Sequence, residues 1–298
     1  MRLTFLLLAL AVSGCRFWYK PVPVANAIGE EKVLLAGDSL HAYRGARFEV
    51  YGPNAESVYD GYEQMNRAYR AFDRYFGGPS RKVAIILGRD SLPPLDSATL
   101  RAFRARDLVV VHYVRPRGMR TRQRYGALDY GGILWPIAPT VARQLLAEFA
   151  RRQPGVDAAT PDSTLLEMFP LWYRAAIMRL VGDAASAVKD LERMREKRAL
   201  LVPLRDMLPL VRASSADSLV DPRRTSDSDE FSETVGAQSG MLARYLVDRE
   251  GSAVIARLGR AYAARQPLSE ILAGFRVAPK DLAELERRWL VWVDTREN

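Results

Sequence analysis

The chain has 298 residues, of which 48% are hydrophobic, 27% charged and 9% aromatic. This composition supplies a sizeable core and excludes a disordered chain, a collagen and a polytopic membrane protein. Lys and Arg number 44 against 35 Asp and Glu, which gives a formal net charge of +9. A single cysteine excludes an internal disulfide, and two histidines leave little material for histidine-based chemistry.

The first fifteen residues are typical of an export signal. Arg2 gives a positive start, and Leu3–Val12 is an uncharged apolar run too short to cross a bilayer of about 30 Å as a helix. The run ends in Val12-Ser13-Gly14-Cys15, which resembles the bacterial lipobox. The resemblance implies a signal peptide over residues 1–14, and lipidation of Cys15 after cleavage. An ordinary secretory signal with a chance cysteine is the alternative.

Two or three acyl chains on Cys15 would give stable membrane anchoring. The residue after the cysteine is Arg16 and not Asp. In lipoproteins of Gram-negative bacteria this implies sorting to the outer membrane. We therefore expect an exported, lipid-anchored protein of the cell envelope, on the periplasmic face of the outer membrane. Its expected partners are the membrane, through the anchor, and an envelope protein or peptide. Export disfavours nucleic acid as a partner.

Strands are predicted in the first half of the mature chain. Residues 15–43 are predicted to hold the lipidated cysteine and a tether that leads into a first strand pair. Apolar residues spaced three and four apart predict a helix that ends at Gly77-Gly78-Pro79. His112 lies within a predicted strand, where a satisfied sheet histidine is favoured over a metal ligand. In chain order the predicted elements are strand Arg47–Tyr51, helix Ala55–Phe76, and strands Lys82–Leu87, Leu108–Val114 and Gly132–Trp135.

Helices are predicted from residue 139 onward, apart from a Ser- and Asp-rich linker over residues 213–233. Strands in the first part and helices in the second predict an α+β fold and not a βαβ repeat. We expect a small N-terminal mixed β-sheet with helices, followed by a helical C-terminal subdomain. The predicted helices span residues 139–152, 163–181, 185–198, 233–250, 252–265, 268–275 and 282–293.

Three short segments resemble, in their order and spacing, the gluzincin metallopeptidases with a peptidase MA-like domain. They are Phe169-Pro170-Leu171-Trp172, Gly236-Ala237-Gln238-Ser239 and Leu285-Glu286-Arg287-Arg288-Trp289. In that family they follow the metal-binding helix, begin the helical subdomain and form the last helix. The resemblance implies a peptidase MA-like domain over residues 44–298, with an α+β part at 44–152 and a helical part at 163–298.

The metal ligands of that family are missing. A gluzincin binds zinc with two histidines of a His-Glu-x-x-His helix, whose glutamate is the general base, and with a glutamate of a later helix. The resemblance places Arg143 and Ala147 at the histidine positions, Gln144 at the base and Ala175 at the third ligand. Arginine keeps its proton at neutral pH, alanine offers no donor atom and glutamine is no base. We expect no metal, no cofactor and no catalytic residue here.

Acidic residues, histidines and a run of arginines are further candidates for a functional site. Glu148 and Glu167 are expected to pair with arginines, and a zinc site from His41, His112 and stray acids has no ligand spacing in its favour. The densest basic run is RPRGMRTRQR, with Arg115, Arg117, Arg120, Arg122 and Arg124. A solvated hairpin loop is its simpler interpretation. The functional one is contact with anionic headgroups, lipopolysaccharide phosphates or an acidic partner.

Three hypotheses for function follow. The first is a lipid-anchored pseudopeptidase that acts as a non-catalytic binding or scaffold protein, in which Arg143 takes the place of zinc and holds a carboxylate. An extended segment would then add along the predicted strand at residues 132–135. The second is a hydrolase with a relocated or non-metal active site. The third is a structural lipoprotein without a surviving cleft.

Overall fold

The structure is a computed structural model that describes residues 28–35, 37–77, 82–88, 95–106, 108–114, 137–182, 186–209 and 228–296. Cys15, the basic run of Arg115 to Arg124 and the predicted strand at 132–135 lie outside these residues. Most of the predicted linker at 213–233 also lies outside them. Its last residues, from Ser228, already belong to a helix.

Five strands of the described chain form one mixed sheet in the order β1-β2-β3-β4-β5. The first three strands are antiparallel neighbours, while β3, β4 and β5 run parallel. The strands Glu31–Leu35 and Asp38–Arg44 lie almost entirely within the segment predicted as a tether, so the sheet begins before residue 44, where the domain was predicted to start. The strands are β1 (Glu31–Leu35), β2 (Asp38–Arg44), β3 (Phe48–Gly52), β4 (Lys82–Gly88) and β5 (Leu108–Val114).

Eleven α-helices are described, and most follow the sheet in the chain, which confirms the predicted α+β class. A 3₁₀ turn at Arg198–Leu200 links two of them. The helices are α1 (Ala55–Phe76), α2 (Ser97–Ala105), α3 (Ile137–Arg151), α4 (Asp162–Leu166), α5 (Leu171–Gly182), α6 (Ser186–Glu196), α7 (Leu204–Met207), α8 (Ser228–Glu250), α9 (Ala253–Ala263), α10 (Leu268–Ala273) and α11 (Leu282–Thr295).

Helix α1 covers one face of the sheet and joins it to the helical part. The Asn54 side chain caps the helix by accepting a hydrogen bond from the N–H of Ser57 at 2.8 Å. Gly77 ends it with a left-handed φ of 62°. The apolar stripe predicted from the sequence is buried, with Met65 and Tyr69 at its centre. This face continues into the main core, which α3, α5, α8 and α9 complete.

Helix α2 covers the opposite face of the sheet and was not predicted. It has nine residues, of which Phe103 alone is buried, so its apolar stripe is too short to predict a helix from the sequence. Its start is marked by Asp96, whose carboxylate accepts from the N–H of Thr99 at 2.6 Å. Phe103 packs edge-on against Tyr51 in a small second core.

The single helix predicted over residues 163–181 is wrong. The chain forms α4, which ends at Leu166, passes through residues 167–170 without helix and restarts as α5 at Leu171. Proline has no N–H to donate and disfavours a helical conformation in the residue before it, so the first helix ends ahead of Pro170. The break sets the start of α5, and with it the direction of the side chains on that helix.

Gly259 leaves room on α9 for the side chains of Tyr173 from α5 and Phe149 from α3. A Cβ at this position would lie 2.6 Å from the Tyr173 hydroxyl oxygen and 2.8 Å from Cε1 of Phe149. The Tyr173 hydroxyl is fixed there because it donates to the carbonyl of Ile255 at 2.7 Å, in the buried core. The close approach is therefore between packed groups that have little room to move.

We expect Gly259→Ala to lower the free energy of unfolding by about 1–2 kcal/mol, since overpacking outweighs the roughly 1 kcal/mol that alanine gains in an open helix. Urea denaturation measures the change. In a Tyr173→Phe background, which removes the nearest oxygen, the loss should be smaller. An equal loss in both backgrounds would place the strain elsewhere.

Candidate functional site

The four positions that the resemblance assigns to the lost zinc site lie on two helices that pack together. Arg143, Gln144 and Ala147 are on α3, and Ala175 is on α5. Arg143 is exposed, Gln144 and Ala175 are half-buried, and Ala147 lies fully in the main core. Positions 143 and 147 are one turn apart on one helix face. That face therefore runs from the surface into the core.

Gln144 takes part in a hydrogen-bond network instead of facing solvent. Its side-chain amide donates to Oδ2 of Asp162, on α4, at 2.9 Å. The other oxygen, Oδ1, accepts from the guanidinium of Arg151 at 2.5 Å. Arg151 also pairs with Glu148 and donates to the carbonyls of Ala158 and Thr160, at 3.1 and 3.2 Å. The network ties the end of α3 to the following loop and to α4.

The expected pairing of Glu148 with an arginine is confirmed by its contact with Arg151. Glu148 is 5% exposed, and a buried carboxylate needs such a partner. Glu148 therefore has an ion partner and Gln144 a hydrogen-bond partner, both within the same network.

Two arginines lie at or next to the positions that the resemblance assigns to zinc ligands. They are Arg143 and Arg174, the residue before Ala175. Burial lowers the pKa of the half-buried Arg174, Glu167 raises it and Arg143 lowers it. Glu167 thus acts on Arg174 electrostatically, as expected for a carboxylate near an arginine. Within the described part of the chain, Arg143 itself makes no hydrogen bond or ion pair. It is an exposed guanidinium whose charge acts on that of Arg174.

A guanidinium in this setting is suited to hold an anion. It presents five N–H donors in a planar fork, and it matches a carboxylate by two parallel hydrogen bonds. Arg174 adds a second positive charge nearby, which the carboxylate of Glu167 partly offsets. Neither helix supplies a competing carboxylate in contact with Arg143 among the residues described.

Buried charge also gathers at the start of β3 and β4. Glu49 accepts from Lys82 at 3.1 Å and from Arg106 at 2.9 Å on Oε1, and from the Tyr51 hydroxyl at 2.5 Å on Oε2. Burial, and then the hydrogen bond to Glu49, raise the pKa of Tyr51 to about 12. Since both carboxylate oxygens are occupied and Glu49 is 2% exposed, this cluster holds the sheet together.

Among the side chains that the structure describes, which include His41 but not that of His112, no group of three or more His, Cys, Asp or Glu is close enough to hold a metal ion. Nδ1 of His41 lies 2.6 Å from the carbonyl oxygen of Gly29. His112 is on β5 opposite Ile86 of β4, as predicted for a strand residue. In the same parts of the chain, no helix is long and apolar enough to cross a membrane.

Two residues of the site were missed in the sequence. Arg174 lies one position before Ala175, and Asp162 is 18 residues from Gln144. Asp162 lies in the first turn of α4, where an acidic residue is common, so nothing in the sequence indicated its bond to Gln144. Comparison with known proteins adds no assignment, since no protein-family model, curated protein or solved structure matches this chain.

Proposed function

We propose that this chain is an exported, lipid-anchored pseudopeptidase that acts as a non-catalytic binding protein of the cell envelope. The gluzincin-like segments of the sequence support the pseudopeptidase part of the proposal, and the lipobox-like cysteine supports the lipid anchor. The single observation that supports binding is the exposed guanidinium of Arg143, without an ion partner in the described chain and close to Arg174. Its exposure favours a usable surface over a site filled by the protein's own side chains.

The ligand class that this surface suits is a carboxylate on a peptide or protein. A carboxylate accepts both hydrogen bonds of an arginine fork, and a hydrogen bond between charged groups contributes about 1.5–3 kcal/mol. Anchoring through Cys15 would hold the domain near envelope proteins and peptides. No catalytic step is assigned, because Gln144 donates to Asp162 and is no base.

The test follows the Nε–Hε signal of Arg143 in the ¹⁵N-arginine-labelled chain, assigned by its loss in Arg143→Gln. We expect acetyl-tetra-alanine with a free terminal carboxylate to shift this signal in a saturable way. The same peptide with a terminal amide should bind about tenfold more weakly, as one charged hydrogen bond is lost. Arg143→Gln should weaken binding similarly, while Arg205→Gln, at an exposed position, should not.

Equal shifts with the acid and the amide would contradict carboxylate binding. A second measurement tests whether the chain lacks a zinc site, as a pseudopeptidase would. The zinc content of the same sample is measured after loading with zinc and desalting. We expect no zinc to be retained. One tightly held zinc per chain would mean that the pseudopeptidase assignment is wrong, and peptidase assays would then replace binding assays.

A further inference from the structure

The short segment Phe275–Lys280 presents an apolar side chain between two cations. Phe275 and Ala278 are buried and hold the segment on the protein. Between and after them, Arg276, Val277 and Lys280 point to solvent. Val277 is 61% exposed, and the Arg276 side chain is 75% exposed.

This segment, the Val277 loop, is held rigidly from beneath. Oε1 of Glu250, at the end of α8, accepts hydrogen bonds from three successive N–H groups, those of Arg276, Val277 and Ala278, at 2.8, 2.6 and 2.8 Å. Oε2 pairs with Arg257 at 3.0 Å. Because the backbone is fixed at three consecutive residues, Val277 has no means of folding back onto the protein.

The charge around the loop is positive. Arg257 and Arg276 both pair with the buried Glu250 carboxylate, at 3.0 and 3.9 Å, and Arg276 also donates to the carbonyl of Glu250 at 3.4 Å. Lys280 adds a third cation beside Asp281, whose carboxylate caps α11 by accepting from the N–H of Glu284 at 2.9 Å. Three cations therefore stand against two carboxylates, and the most exposed of the paired ones is Arg276. Residues 276–280 have the sequence RVAPK, which contains no acid. An apolar tip flanked by cations is complementary to an anionic bilayer surface, where cations meet headgroups and the apolar side chain enters below them.

We propose that the Val277 loop is a contact site for anionic membrane surfaces, separate from the carboxylate site at Arg143. Arg276 and Lys280 lie against lipid phosphates, and the Val277 side chain enters the boundary between headgroups and acyl chains. A rigid loop favours this contact, because little conformational freedom is lost when it binds. The site goes beyond the proposed function and does not depend on lipidation of Cys15.

The test uses the full chain with Cys15→Ser, which removes its only cysteine, and Val277→Cys carrying the fluorophore NBD. Vesicles of equal parts phosphatidylcholine and phosphatidylglycerol should shift the emission to the blue and shield it from acrylamide. Pure phosphatidylcholine vesicles should do neither. The matched control is Val291→Cys with the same label, since Val291 is also exposed, at 51%, but lies on α11. Its emission should not change.

Arg276→Gln with Lys280→Gln should weaken the response at position 277 roughly 30-fold, at about a factor of five for each lost cation. Lys189→Gln with Arg205→Gln removes the same charge from another part of the surface. This control should change the response at position 277 by no more than twofold. An absent response, or equal responses at 277 and 291, would overturn the proposal. So would a response to soluble polyglutamate in place of vesicles, because the loop would then bind an acidic protein.

Discussion

Replacing Glu250 by alanine is expected to lower the free energy of unfolding by about 3–5 kcal/mol at neutral pH. The carboxylate is fully buried and satisfies three backbone N–H groups and the guanidinium of Arg257. Alanine would leave all four donors without this acceptor, and an unsatisfied buried polar group costs about 1–3 kcal/mol. Urea denaturation at pH 7 measures the loss.

The same carboxylate makes stability depend on pH in acid. Burial alone would raise the pKa of Glu250, but the three backbone donors and Arg257 outweigh it and lower the pKa to about 2, from 4.5. The folded pKa is depressed, so the contribution is fully present above pH 4.5 and is lost as the pH falls to 2. It amounts to about 3 kcal/mol.

Glu270→Ala is the matched control for both measurements, since Glu270 is exposed on α10 and its removal should change stability by no more than about 0.5 kcal/mol. Glu250→Gln keeps the shape of the side chain but does not ionise. Its unfolding free energy should fall less than that of the natural chain between pH 4.5 and 2. Parallel curves for the two proteins would show that another group controls acid unfolding.

Replacing Gln238 by alanine is expected to cost about 2–4 kcal/mol, because it leaves two buried backbone groups unpaired. The side chain of Gln238, on α8, bonds Val202 twice. Nε2 donates to the carbonyl of Val202 at 2.5 Å, and Oε1 accepts from its N–H at 3.0 Å. Gln238 is fully buried and holds the segment before α7 onto α8.

The local readout for this variant is hydrogen exchange at the amide of Val202, which should lose most of its protection when Gln238 is changed. Gln266→Ala is the control, since Gln266 is exposed and should change stability by no more than about 0.5 kcal/mol. Unchanged exchange at Val202 would contradict the role assigned to Gln238, even if global stability fell.

Gln238 also shows what the segments that resemble gluzincins left unpredicted. It lies in Gly236-Ala237-Gln238-Ser239, which suggested the start of a helical subdomain and nothing about a role. In the structure, Gly236 and Gly240 lie against the side chain of Arg179 on α5, and Ser239 donates to the carbonyl of Val235. The segment therefore serves close packing of α8, which residue types alone do not reveal.

The helix boundaries that were predicted best depend on strong local signals. Helix α1 begins and ends as predicted, because its apolar stripe is long and both of its ends are marked by capping residues. Helix α2 was missed because a short helix that buries only Phe103 has no such stripe. The helix predicted across Pro170 failed because apolar spacing continued through a residue that cannot continue a helix.

The sequence by itself determined the α+β class, since hydrophobic periodicity is a local property. Only the tertiary structure decided that Arg143 is exposed, that Gln144 donates to Asp162, and that Glu250 holds the Val277 loop. These partners come from different helices and loops. They meet because apolar faces pack, and each buried polar group then bonds whatever donor or acceptor the packing brings to it.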